Sequence, residues 1–119
     1  MISGSAQYNK IEGLGIDVSE TARFSGMKKK HFFLKKVFTA RELSYCFSYR
    51  FPALRLAGLF SAKEAVVKAS GGKWPILRLE VRHDTAGAPK IYVGGKLKKN
   101  VLVSISHSKV NSCAIALMA

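Results

Sequence analysis

Two acidic residues, Asp17 and Glu64, are the candidates for chemistry in this sequence. Asp17 stands at the end of a glycine-flanked apolar stretch, IEGLGIDV, and Glu64 lies within a long run rich in Ala, Leu and Lys. Mg²⁺ takes one or two carboxylates and leaves its other positions to water and phosphate oxygens. Brought together by the fold, this pair would suit phosphoryl-type chemistry. Spacing alone favours the other interpretation, in which Glu64 and Lys68 form an exposed i,i+4 pair.

Positive charge surrounds these acids. Lys and Arg number 20 against 7 Asp and Glu, so the formal net charge is +13, and such a chain attracts polyanions. Lys63 falls within the apolar arc of the same predicted helix, where a lysine either snorkels out or holds an anion. His107 follows an alternating run and is either a surface residue or a ligand contact. The run Lys28–Lys30 is either a solvated face or a dock for an acidic partner.

The elements that must position these residues divide the chain into a helical first half and a strand-rich second half. The stretch 11–18 predicts a buried strand, and Glu20–Phe24 and Lys30–Phe38 each predict a helical turn or two. Thr39 and Glu42 fit a capping box, so a helix is expected from Ala40, stopped by Pro52. Ala53–Ser70 is the predicted central helix, closed by Gly71-Gly72. Period-two alternation predicts strands at 77–82, 90–93, 101–105 and 113–117. The expected class is α+β, with an antiparallel sheet packed against the long central helix.

Size and composition limit the organisation further. With 119 residues, we expect one domain over residues 11–119, preceded by a polar extension, 1–10, that is either native or an expression remnant. Its sequence lacks the pattern of a signal peptide, and no apolar stretch reaches the length of a membrane span. Cys46 and Cys113 lie in apolar segments, which indicates reduced core thiols and a cytoplasmic protein.

Three motifs in this order resemble the holo-acyl-carrier-protein synthases, the short single-domain group of the 4′-phosphopantetheinyl transferases. They are GLGIDVSETAR at residues 13–23, LAGLFSAKEAVVKASG at 56–71 and VSISH at 103–107. The turn at Gly87-Ala-Pro89 and the stretch from Val37 to Leu43 fit the same pattern. The likeness covers about residues 14–119.

The resemblance implies transfer of the phosphopantetheine arm of coenzyme A to a serine of apo-acyl carrier protein, a step of fatty acid biosynthesis, with release of adenosine 3′,5′-bisphosphate. By this similarity, Asp17 and Glu64 bind Mg²⁺. Glu64 takes the serine proton, and Lys68 stabilises charge on the phosphate or the leaving group. The positions implied for coenzyme A are Lys63, Lys68, Gly71, Ser106 and His107.

The resemblance also implies partners. Carrier proteins are acidic, so Arg23 with Lys28, Lys29 and Lys30 is the expected docking surface. The family is usually a homotrimer with coenzyme A between neighbouring subunits.

Two departures from the family pattern leave alternatives open. Family members commonly have an arginine where this chain has Leu59, and they have a longer loop after the helix than the short segment 71–75 found here. A catalytically silent relative that only binds carrier protein is therefore one alternative. A small nucleic-acid-binding module is another, because +13 suffices to bind a polyanion. The predicted strands hold few aromatic residues, chiefly Tyr92, which disfavours the second alternative.

Overall fold

The computed structural model describes residues 10–119. Its helices are α1 (Phe32–Val37), α2 (Ala40–Phe47) and α3 (Pro52–Ala69), with short 3-10 helices at Thr21–Phe24 and Ile76–Arg78. Its strands are β1 (Gly13–Glu20), β2 (Leu79–His83), β3 (Pro89–Val93), β4 (Lys96–Leu97), β5 (Val101–His107) and β6 (Asn111–Met118). The predicted N-terminal extension, 1–10, lies outside the described residues except for Lys10, which is exposed.

The predicted α+β arrangement is confirmed, and the antiparallel strands form two sheets rather than one. The first sheet has the order β1-β6-β5 and the second the order β2-β3-β4. In the first, Asp17 faces Ala114 on β6, and Ala114 in turn faces Ile105 on β5. Helix α3 covers the inner face of this sheet, and together they bury Leu56, Ala62, Val66 and Ala116. The site residues therefore belong to one helix and the sheet beneath it.

Glycine allows β1 to run directly against α3. A Cβ added at Gly15 would overlap the carbonyl oxygen of Ala65, and one at Gly13 would overlap that of Ala69. Any side chain there would push the strand off the helix, because both clashes are with backbone. Successive residues of a strand point to opposite faces, so Asp17 and Ser19 share the inward face with these glycines.

The helix boundaries follow local chemistry, with one correction. Thr39 Oγ1 accepts from the Glu42 backbone N–H at 3.2 Å, and Glu42 Oε1 accepts from the Thr39 N–H at 2.8 Å, so the predicted capping box is confirmed. The prediction that Pro52 stops α2 was wrong. α2 ends at Phe47, and Pro52 is the first residue of α3, where its missing N–H costs nothing and its fixed φ suits a helix.

The sequence predicted the end of α3 correctly but placed the start of the next strand too early. Gly71 and Gly72 end the helix as predicted, with φ of 64° and 84°, a left-handed conformation that favours glycine. The strand predicted from Leu77 starts only at Leu79, because residues 76–78 form a 3-10 helix.

The outward face of the first sheet is apolar. Leu14, Ile16 and Val18 of β1 are each about 60% exposed, at 61%, 58% and 61%, and Leu102 and Ile115 lie on the same face. Cys113 also belongs to this face and is half-buried, so the prediction of a core thiol holds for the buried Cys46 only. Within residues 10–119, no helix combines the length and apolarity that a membrane crossing requires.

Candidate active site

Asp17 and Lys68 meet where β1 crosses the C-terminal half of α3. Lys68 Nζ donates to Asp17 Oδ1 at 3.3 Å and to the Ile16 carbonyl oxygen at 3.0 Å. The Asp17 side chain is 16% exposed and the Lys68 side chain 54%. Ser19 Oγ donates to the other carboxylate oxygen, Oδ2, at 3.4 Å. The carboxylate is thus largely buried yet held by two long contacts, which leave lone pairs of both oxygens free.

Glu64 lies on the part of α3 that faces these groups. Ser61, one turn before it, contacts Ser19 of β1, and Lys68, one turn after it, contacts Asp17. Helix residues three and four apart share a face, so the contacts on either side orient Glu64 toward the same strand. Glu64 is half-buried and forms no ion pair within residues 10–119. In that range no group of three or more His, Cys, Asp and Glu could hold a metal, so any ion here would rely on two carboxylates.

Lys63 requires a correction. Its side chain is 1% exposed, and its ammonium donates to Glu42 Oε1 at 2.8 Å and to the Val37 carbonyl oxygen at 2.6 Å. Burial lowers the pKa of Lys63, and the Glu42 carboxylate opposes that effect. Glu42 Oε2 also accepts from the Val81 backbone N–H at 2.7 Å. Lys63 therefore neither snorkels out nor faces a ligand. It joins α3 to the end of α1 and to the start of α2, and its partner Glu42 extends the contact to β2.

A cavity of about 350 Å³ adjoins the Asp17 and Lys68 contact, at the end of α3. Lys68, Gly71 and Lys73 line it together with Glu12. The structure thus brings the predicted Gly71 beside Lys68, together with Lys73 from the short segment 71–75. Lys73 follows the pair of glycines, and only the left-handed turn at Gly71-Gly72 directs the chain back to the cavity.

A second cavity, of about 260 Å³, lies between the N-terminal half of α3 and β5. Arg55, His83 and His107 line it with Tyr45, and no Asp or Glu of residues 10–119 does so. The His107 ring lies against Gly58, where a Cβ would come within 3.2 Å of it. Burial, and then the Arg55 charge, lower the pKa of both histidines. Burial raises the pKa of Tyr45 to about 12, so its hydroxyl stays protonated.

Ser106 is separated from His107 by the strand itself. In the register of β5 and β6, His107 pairs with the buried Ser112, whereas Ser106 pairs with Cys113 on the outward face. The two adjacent residues therefore point to opposite sides of the sheet. Within one chain, Ser106 does not face the second cavity.

The predicted docking residues lie around the turn between β1 and α1. Arg23 is exposed, and its guanidinium lies 4.7 Å from the centre of the Phe60 ring and 5.2 Å from that of Phe33. Lys28, Lys29 and Lys30 are exposed as well. None of the four has an acidic partner within residues 10–119. This surface is therefore an uncompensated cationic patch with an aromatic base.

Comparison with known proteins decides the family. The sequence profile of the 4′-phosphopantetheinyl transferase superfamily matches residues 13–117. The chain belongs to this superfamily. It is 41% identical over 118 residues to the holo-[acyl-carrier-protein] synthase of Caldicellulosiruptor saccharolyticus, covering 89% of this chain and 96% of that one. The corresponding protein of Thermodesulfovibrio yellowstonii is 39% identical, with 83% and 90% covered. The resemblance to holo-acyl-carrier-protein synthases is thereby confirmed, and the chain is a 4′-phosphopantetheinyl transferase.

Solved structures of the transferase superfamily agree in fold. A holo-(acyl-carrier-protein) synthase from Bacillus anthracis, in complex with CoA (3′,5′-ADP), superposes with a TM-score of 0.75 at 32% identity, covering 91% of this chain and 96% of that one. The holo-[acyl-carrier-protein] synthase from Neisseria meningitidis gives a TM-score of 0.77 at 25% identity, with 92% and 99% covered.

Sequence reasoning on this transferase missed Arg55 in particular. The spacing held a signal, because Arg55 precedes Leu59 by one helical turn and so shares its face. Both residues line the second cavity.

Proposed function

We propose that this transferase moves the 4′-phosphopantetheine group of coenzyme A to a serine of apo-acyl carrier protein and releases adenosine 3′,5′-bisphosphate, as a step of fatty acid biosynthesis. One observation carries the proposal: a largely buried carboxylate, Asp17, contacts Lys68 on the helix face that also bears Glu64. Coenzyme A, bound in the Bacillus anthracis relative, offers a pyrophosphate that matches acids and a lysine placed side by side. Residues 11–119 act as one domain in this proposal.

The donor set suits Mg²⁺. The Asp17 oxygens each have one contact, at 3.3 and 3.4 Å, and the Glu64 carboxylate has no ion-pair partner within residues 10–119. Mg²⁺ usually binds one or two carboxylates and takes its remaining oxygen ligands from water and substrate phosphates. When bound, the ion supplies charge neutralisation at the phosphate oxygens. Asp17 and Glu64 are the residues that would hold it.

The chain's own groups supply the remaining roles. Glu64, directly or through a water, accepts the proton of the attacking serine, since a carboxylate is a competent general base when positioned. Lys68 holds a fixed positive charge beside the transferred phosphorus or the leaving phosphate, which lowers the free energy of the charged transition state.

In this proposal, the second cavity binds the nucleotide part of coenzyme A. Its three nitrogen-bearing side chains, Arg55, His83 and His107, suit a phosphate monoester such as the one on the ribose of coenzyme A. Arg55 would supply the guanidinium that the family commonly places at the position of Leu59. A guanidinium binds phosphate through two parallel hydrogen bonds.

The patch of Arg23, Lys28, Lys29 and Lys30 receives the acidic carrier protein. Charge at such a surface raises the association rate more than the final affinity. We expect Arg23→Glu with Lys29→Glu to lower kcat/KM for carrier protein and to leave the KM for coenzyme A unchanged. Lys96→Glu with Lys99→Glu is the matched control, because both lysines are exposed and lie on β4 and the following turn. Equal losses in the two double variants would contradict this docking site.

The apolar outward face of the first sheet supports a homotrimer. Exposed aliphatic residues on three adjacent strands form the kind of patch that marks protein interfaces. Light scattering should give three times the 13.0 kDa mass of one chain, and Ile16→Lys should reduce it. A monomeric wild type would contradict the assignment.

Both Cys46 and Cys113 are free thiols, which is compatible with an enzyme that acts in the reducing cytoplasm.

The decisive experiment is incubation of the protein with coenzyme A, Mg²⁺ and apo-carrier protein, followed by intact-mass measurement of the carrier. We expect the mass to rise by one phosphopantetheine group. Glu64→Gln should abolish the gain while keeping the fold, and Glu20→Gln, which changes an exposed acid at the end of β1, should retain it. No gain in mass despite carrier binding would indicate the catalytically silent relative. Salt-sensitive RNA binding without transfer would indicate a nucleic-acid-binding module.

A further inference from the structure

Two buried serines connect the body of the molecule to the Asp17 carboxylate. Ser61 Oγ on α3 donates to Ser19 Oγ on β1 at 2.8 Å, and Ser19 Oγ donates to Asp17 Oδ2 at 3.4 Å. Ser61 is 0% exposed and Ser19 is 5% exposed. The pair therefore forms a hydroxyl chain that ends on a carboxylate proposed above to bind a divalent cation.

Packing alone does not require hydroxyl groups at Ser19 and Ser61. Where β1 crosses α3, the contact includes many very small residues, among them Gly13, Gly15, Ala62, Ala65, Ala69, Ala114 and Ala116. An alanine would fill the place of either serine with one atom fewer. A buried hydroxyl without a partner costs about 1–3 kcal/mol, and each of these two hydroxyls has a partner: Ser61 bonds to Ser19, and Ser19 bonds to Asp17.

The direction of the hydroxyl protons follows from the acceptors. Each serine has one proton, and Ser61 has two acceptors in reach, Ser19 Oγ at 2.8 Å and the Ser112 carbonyl oxygen at 3.4 Å. An ionised carboxylate is a stronger acceptor than a hydroxyl, so Ser19 directs its proton to Asp17. Ser61 then completes the chain by donating to Ser19, and this fixes the rotamer of the Ser19 hydroxyl.

We propose that Ser19 and Ser61 are positioning residues that hold one oxygen of Asp17 so that the other faces a divalent cation. The inference rests on the proposed function, because it concerns the metal assigned there. Groups that orient a metal ligand typically change metal affinity about 10- to 100-fold when removed. Ser19 contacts Asp17 itself and Ser61 acts only through Ser19, so loss of Ser19 has the larger effect.

The test is Mn²⁺ binding to the free protein, followed by electron paramagnetic resonance, for wild type, Ser19→Ala and Ser61→Ala. We expect Kd for Mn²⁺ to rise about tenfold in Ser19→Ala, and to rise less in Ser61→Ala. Ser112→Ala is the matched control: this serine is equally buried in the same contact, but its hydroxyl bonds to His107 at 3.3 Å instead. Its Kd should match that of wild type. In turnover, the Mg²⁺ concentration for half-maximal rate should rise in Ser19→Ala, with kcat unchanged at saturating Mg²⁺.

The outcomes separate this inference from the function on which it rests. Equal Mn²⁺ affinity in wild type, Ser19→Ala and Ser61→Ala would overturn the positioning role and leave the proposed reaction intact. A wild type that binds no Mn²⁺ and transfers nothing would overturn both. If Ser19→Ala does not fold, as judged by circular dichroism, Ser61→Ala decides alone, because alanine already occupies the neighbouring positions of α3.

Discussion

Lys68 and Asp17 are separated by 51 residues, and the Lys68 ammonium nevertheless lies 3.3 Å from Asp17 Oδ1. A second hydrogen bond, to the Ile16 carbonyl oxygen, holds the lysine along β1. This relationship gives Lys68 two opposite effects on the site. Its charge repels a divalent cation at Asp17, and the same charge stabilises negative phosphate oxygens once substrate is present.

Lys68→Met should therefore separate metal binding from catalysis. We expect tighter Mn²⁺ binding to the free protein, since a competing cation is removed, and a kcat lower by roughly 100-fold, since a fixed charge is lost from the transition state. Electron paramagnetic resonance and the mass-based transfer assay measure the two quantities. Lys99→Met, an exposed lysine outside the site, should change neither. Weaker Mn²⁺ binding in Lys68→Met would contradict this account.

The buried pair of Lys63 and Glu42 should matter for stability rather than for substrate binding. Lys63→Met leaves a buried carboxylate unpaired, which costs about 3–5 kcal/mol in free energy of unfolding. Adding Glu42→Gln removes that charge, so the double variant should recover part of the loss. Urea unfolding of the single and double variants measures this coupling. A Lys63→Met protein of normal stability but with a raised KM for coenzyme A would restore the predicted role as a phosphate contact.

Arg55 should determine the preference for substrates that carry the ribose phosphate monoester. We expect Arg55→Ala to raise the KM for coenzyme A about 10- to 100-fold. The KM for dephospho-coenzyme A should stay unchanged, because that molecule lacks the ribose phosphate. Arg50→Ala is the matched control, since Arg50 lies near the start of α3 over Phe51 and outside the cavity. Arg55→Lys should recover part of the preference. An unchanged ratio of the two KM values in Arg55→Ala would refute this role.

The second cavity also predicts how stability depends on pH. Burial and the Arg55 charge hold the pKa of His83 and His107 below the ordinary 6.5, so the unfolded chain binds protons more readily than the folded one. Their contribution to stability is therefore complete above pH 6.5 and decreases as pH falls below it. Melting temperatures from about pH 5 to about pH 8 should show this decrease, and His107→Gln should reduce it. Inorganic phosphate should reduce this loss of stability at low pH, because a bound anion favours the protonated form of His107. A decrease confined to pH above 6.5 would contradict the prediction.

Local patterns in the sequence were enough for several features. The capping box needs only Thr39 and Glu42, three residues apart, and the end of α3 needs only the glycines that follow it. Both depend on backbone groups within one turn, so their chemistry is visible in the sequence. The order of the three family motifs was likewise sufficient to predict the superfamily. The roles of Asp17, Glu64, Lys68, Gly71, Ser106, His107 and the docking residues stay predictions.

Tertiary packing decided the partners of the buried polar groups. Lys63 meets Glu42 because α2 lies against α3, and Ser61 meets Ser19 across 42 residues because glycines let β1 approach the helix. Arg55 of α3 lines the same cavity as His83 of β2 and His107 of β5, because both sheets pack beside α3. A periodic pattern shows which face of an element is buried, but not which other element covers it, since that depends on the packing of the whole chain.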